Sequence, residues 1–150
     1  MKQIKYREWE IEVDMESTKK EYEKIEKGAA EICNCEYCDI YIKNREIVFP
    51  PEIKNLFKEL GIDSKKEAEL YYYGKDDKDN FGFNGWFHFI GKFKGKNLIV
   101  PTSSKSATLD FTFITEDFKI GFHYDNSSTI FEESENLVQL EFDLKTKRIL

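Results

Sequence analysis

The stretch LVQLEFDL, residues 137–144, sets Val138, Leu140, Phe142 and Leu144 in strict alternation with Gln139, Glu141 and Asp143. Side chains on a β-strand point to opposite faces in turn, so this period of two predicts a strand with one face in a core. A helix would group its apolar residues at steps of three and four instead. The same period runs through much of the second half of the chain. LDFTFITEDFKIGFHY, residues 109–124, predicts a hairpin with Leu109, Phe111 and Phe113 on one face. Its turn falls near Glu116-Asp117, and Phe118, Ile120 and Phe122 return on a single face. LYYY (70–73) and WFHFIGKF (86–93) add two aromatic and β-branched strands, with GKDDKDN and KGKN as polar turns. Asn84-Gly85 reads either as a hairpin turn or as the start of the strand that follows it. PTSSKSAT and DNSSTIFEESEN read as loops. Near the N-terminus, WEIEV (9–13) alternates in the same way.

Helical signals lie mainly in the first 61 residues. Thr18 precedes Glu21 by three, the spacing of a capping box. Tyr22, Ile25, Ala29 and Ile32 follow as one apolar stripe, predicting a helix over residues 18–32 that ends where the cysteines begin. PPEIKNLFKELG predicts a second helix over residues 51–60. Pro51 suits its first turn, Ile53, Leu56, Phe57 and Leu60 form its buried stripe, and Gly61 suits a left-handed cap. Helices early and strands late predict an α+β fold: a mainly antiparallel sheet with these two helices packed on one face.

The 150 residues fit one domain, residues 1–150, with 40% hydrophobic and 15% aromatic residues to build a core without staples. No apolar run reaches the roughly 18 residues that a membrane span needs. The start, MKQIKYREWEIEV, carries charges where a signal peptide is apolar, so a cytoplasmic location is expected. The net charge of −6 and the lack of clustered Lys and Arg argue against a nucleic-acid partner. The one late basic group, Lys145, Lys147 and Arg148, reads as a polar turn beside the closing strand.

CNCEYC, residues 33–38, holds all three cysteines of the chain. C-x-C-x2-C brings three thiolates within reach of one soft ion, and zinc is the candidate cofactor. Structural zinc takes four ligands from Cys and His. Cys33, Cys35 and Cys38 supply three, leaving His88 or His123 as the fourth. His88 is the metal candidate; sharing its strand face with Trp86 and Ile90, it reads as semi-buried, a satisfied core histidine before a catalytic one, whereas His123 reads as solvent-facing. Cys35-x-x-Cys38 alone suggests a redox dithiol, but its place after a helix end and the lack of a βαβ pattern weigh against that chemistry. The plain alternative is three cysteines acting as small hydrophobes at a helix end. No P-loop, G-x-S-x-G elbow, H-E-x-x-H or dinucleotide fingerprint is present. Asp76, Asp77 and Asp79 lack the glycine and distal Glu of a calcium loop.

C-x-C-x2-C, then PPE and LFKELGID, then E-x-Y-Y-Y-G and GWFHFIGK together resemble a family of small bacterial proteins with no assigned activity. The resemblance covers roughly residues 9–92. It implies a single intracellular domain and groups Cys33, Cys35, Cys38, Trp86 and His88 as one neighbourhood. Two positions after the last cysteine that family carries Asn, where this chain has Ile40.

These readings favour a non-enzymatic binding or interaction module with structural zinc at the cysteines. The alternatives are a cysteine-dependent enzyme or redox-sensing dithiol using Cys35 and Cys38 with His88, and an immunity- or antitoxin-type protein. The last would neutralise a basic protein partner through its negative charge.

Overall fold

In the computed structural model, which describes residues 1–133 and 135–147, thirteen elements follow one another along the chain. A hairpin of β1 (Lys2–Tyr6) and β2 (Trp9–Val13) leads into four helices: α1 (Met15–Glu23), α2 (Ala29–Cys33), α3 (Glu36–Val48) and α4 (Pro51–Leu60). Seven strands follow: β3 (Glu69–Lys75), β4 (Phe81–Lys94), β5 (Ile99–Pro101), β6 (Ala107–Leu109), β7 (Thr112–Thr115), β8 (Phe118–Tyr124) and β9 (Leu137–Thr146). The fold is α+β. Seven strands form one sheet in the order β1-β2-β4-β9-β8-β7, with β3 also on β4, and β5 and β6 form a separate pair. Every pairing is antiparallel.

The alternation in β9 places it between β4 and β8. Val138, Leu140, Phe142 and Leu144 lie opposite Phe89, Phe87, Gly85 and Phe83 on β4, and opposite Tyr124, Phe122, Ile120 and Phe118 on β8. This face carries the core. Phe49, just past α3, meets Phe57, Phe87, Phe118 and Phe142 edge-on, and Tyr41 of α3 packs on Phe83 and Phe142. Gly85 is a strand residue rather than a turn residue. A Cβ there would come within 2.7 Å of the Phe142 ring, so glycine lets that ring cross the strand. The hairpin turn falls instead at Asp76–Asn80, where Asp76 accepts from the backbone N–H groups of Lys78 and Asn80.

Four helices stand where two are expected. The helix over 51–60 is present as α4, with Ile53, Leu56, Phe57 and Leu60 buried and Gly61 at φ 80°. The helix over 18–32 is two helices. α1 is capped by Asp14, whose carboxylate accepts from Ser17 N–H, and not by a Thr18–Glu21 box. It stops at Glu23, and the chain re-enters helix after Gly28, whose Cα lies so close to Lys65 and Lys66 that a Cβ would meet Lys65 O at 2.5 Å. Thr18 does different work. β3 pairs with β4 as far as Trp86 and β2 pairs with it only from Gly91, so one edge of β4 is open between them. α1 closes that gap. The Tyr22 hydroxyl donates to His88 O at 2.8 Å and accepts from His88 N–H at 3.1 Å. The Thr18 hydroxyl accepts from Ile90 N–H at 3.0 Å, and Asp14 N–H donates to Ile90 O at 2.8 Å.

Leu109 belongs to β6, paired with β5, so the expected hairpin begins only at Thr112. His123 is buried, not solvent-facing, because the second face of the sheet is also covered. Leu98 lies over Gly121 on that face, and Phe131 lies beside His88. Arg148 lies outside the described residues.

Candidate metal centre

Cys33 is the last residue of α2. Asn34 then takes a left-handed conformation (φ 52°, ψ 32°), a short reversal that asparagine tolerates. Cys35 follows in extended conformation as the N-cap of α3, and Cys38 lies in the first turn of that helix. The reversal turns α2 and α3 back on each other and gathers the thiols. All three Sγ atoms lie within 4.8 Å of one another, and all are free thiols. Cys33 and Cys35 are exposed; Cys38 is buried.

α3 was hidden in the sequence. The Cys35–Cys38 pair does follow a helix end, that of α2, but Cys35 also begins a new helix of 13 residues. This removes the objection to redox chemistry that rested on position. α3 buries Cys38, Tyr41 and Arg45 at helical spacing, but the same buried set contains Asn44, and the polar residues blur the stripe. A signal was nevertheless present: Glu36 and Asp39 in the first turn and Arg45 in the last match the helix dipole.

As the N-cap, Cys35 Sγ accepts the Cys38 N–H at 3.4 Å, the role usually taken by Ser or Asp. That hydrogen bond, followed by those from the Cys33 and Cys38 thiols, lowers the Cys35 thiol to about 7. Burial, then the neighbouring thiols, pushes Cys38 well up. The helices are tied together around the triad. Arg45 donates to Glu31 at 3.2 Å, joining α3 to α2. Glu67 accepts from Ala30 N–H at 2.7 Å and fixes the start of α2. Tyr37, beside Cys38, stacks on Tyr72 of β3 with ring centroids 3.9 Å apart.

His88 and Trp86 do not join the cysteines. Tyr72 faces the helices, whereas its neighbour Tyr71 packs on Trp86 across the opposite face of the sheet. His88 shares that face, since it lies one alternation along the strand. Its Nε2 donates to Asp125 O and Gln139 Oε1, both at 3.1 Å. Gln139 donates to Glu141 at 3.0 Å, and Glu141 also meets His123 at 3.3 Å and Asn84 at 3.2 Å. Burial lowers the His88 imidazole to about 4, so it is neutral at pH 7. Neither His88 nor His123 therefore completes the thiol set. The neighbourhood implied by the family resemblance is divided between the two faces. The polar network on the outer face went unseen because Gln139 and Glu141 alternate with core residues and read as solvent-facing.

Zinc–sulfur bonds of about 2.3 Å in tetrahedral geometry place sulfurs about 3.8 Å apart. Sulfurs that all lie within 4.8 Å of one another exceed that spacing by no more than about 1 Å. The donor set therefore fits a thiophilic metal ion. No family model, no curated protein and no solved structure matches this chain. Among the described residues no helix is long and apolar enough to cross a membrane.

Proposed function

We propose that this chain is a non-enzymatic binding module built around a metal–thiolate site, in which Cys33, Cys35 and Cys38 hold zinc. One observation carries the reading: three free thiols within 4.8 Å of one another at the α2–α3 junction. Three convergent thiols in one short turn form a chelate, and thiolate sulfur selects soft and borderline ions such as zinc. The start of α3 adds a favourable field for the negative charge of the bound thiolates. Purified without affinity metals, the protein should carry close to one zinc per chain by elemental analysis. Cys33→Ser and Cys35→Ser, at exposed positions, should each reduce that content severalfold. Protein that stays metal-free and takes up no zinc when it is supplied would sink the reading.

A second reading, a redox dithiol, is favoured by Cys35 being an exposed helix N-cap beside two other thiols. A low-molecular-weight disulfide would be the oxidant: Cys35 attacks it, a neighbouring thiol then displaces the mixed disulfide, and two reduced thiols leave. Mass spectrometry of alkylated protein from a glutathione redox buffer tests this. An internal disulfide that forms and reverses supports it; three alkylated thiols at every buffer ratio rule it out. His88→Ala should leave thiol reactivity unchanged on either reading, because His88 lies on the far face of the sheet.

A further inference from the structure

The triad offers three sulfurs, and among the described residues no other His, Cys, Asp or Glu donor joins them within 4.8 Å. Closed structural zinc sites have four protein ligands, whereas sites with three keep a position for an outside ligand. The position of the open side follows from burial. Cys38 faces the core, and Cys33 and Cys35 are exposed, so an ion seated on the three sulfurs has solvent opposite Cys38. The sheet lies between this site and both histidines, so neither can swing in. Resting on the zinc reading above, we infer that the bound metal keeps one solvent-facing coordination position, and that this position takes a small exogenous thiol.

The choice of ligand follows from charge and softness. Three thiolates on a divalent ion give a site of net charge −1, rich in electron density. A hard anion such as phosphate or a carboxylate would add charge with little covalent gain, whereas a thiolate forms the same bond as the other three. The exchange balances simply. A thiol RSH replaces a bound water, the Zn–O bond breaks, a Zn–S bond forms, and the thiol proton passes to solvent. No electron changes hands. A thiol held this way is a thiolate at neutral pH, since coordination deprotonates it.

Cobalt(II) in place of zinc makes the site visible, because each thiolate contributes sulfur-to-cobalt charge transfer. The experiment is anaerobic titration of the full chain with cobalt(II), then with 2-mercaptoethanol, with phosphate as a separate addition. One equivalent of cobalt should bind with tetrahedral ligand-field bands. Saturating 2-mercaptoethanol should then raise the charge-transfer intensity by about one-third, as three sulfurs become four. Phosphate should change neither set of bands. Cys33→Ser should start about one-third lower and still respond to the thiol. Spectra indifferent to 2-mercaptoethanol, with cobalt bound, would overturn the open position while leaving the metal site standing. A response to phosphate instead would overturn the choice of ligand. Failure of cobalt to bind with charge-transfer bands would remove both this inference and the zinc reading.

Discussion

At the scale of single residues, two thiols three positions apart show how the same chemistry is treated differently by its surroundings. Cys35 keeps solvent and a helix N–H, and its thiolate is favoured; Cys38, three residues on, is buried and stays protonated in the free protein. His88 is the more telling case for stability. Its imidazole sits at about 4 in the folded chain against about 6.5 unfolded, because burial opposes the charge. Between those values the unfolded chain binds more protons, so stability falls as pH drops from about 6.5 and the loss levels off below about 4. Full expression of that difference is about 3 kcal/mol. Urea midpoints measured from pH 7.5 to pH 4 should show the decline, and His88→Gln should flatten it. A slope that His88→Gln leaves unchanged would assign the decline to other groups.

At the scale of elements, the main sheet was legible apart from β1, the small β5–β6 pair was read largely as loop, and the helical layer was legible only in part. The alternation in residues 137–144 led directly to β9, and the stripe and cap of residues 51–61 led directly to α4. Both segments carry one signal each, with nothing competing. Residues 18–48 carry several. Thr18 looks like a cap but serves the edge of β4, Gly28 breaks a stripe that would otherwise run on, and Arg45 occupies a buried face through its bond to Glu31. Long-range partners decide each of these positions, and local pattern does not contain them. The three cysteines were legible as a cluster because six residues can hardly keep them apart, but their place at the head of a helix was not. The edge-closing role of α1 is testable. Thr18→Val keeps the shape and removes the acceptor for Ile90 N–H. It should lower stability by about 1–3 kcal/mol, the cost of an unsatisfied buried donor. Amide hydrogen exchange should speed up at Ile90 before it does at Leu140. Equal protection at Ile90 in variant and parent would mean that the hydroxyl contributes nothing.

At the scale of the whole molecule, the triad sits at the margin of the core, with Cys33 and Cys35 exposed. Most of the large buried rings belong to β4, β8, β9 and the segment from α3 to α4, with Trp9 of β2 and Tyr22 of α1 beside them, and Cys38 is the one cysteine in that core. If zinc is held as proposed, removing it with a chelator should loosen α2 and the start of α3 while far-ultraviolet circular dichroism keeps its β-sheet signature. Collapse of the sheet on chelation would show that the metal is needed for folding, as in a zinc finger. The seal on β4 has a different consequence. The hydroxyls of Thr18 and Tyr22 occupy backbone groups that another extended strand would otherwise seek. Detachment of α1 would leave an unpaired stretch of β4 between β3 and β2, a template for pairing with a neighbouring molecule. Self-association of this protein would then begin at Phe87–Ile90, and α1 acts as the guard against it.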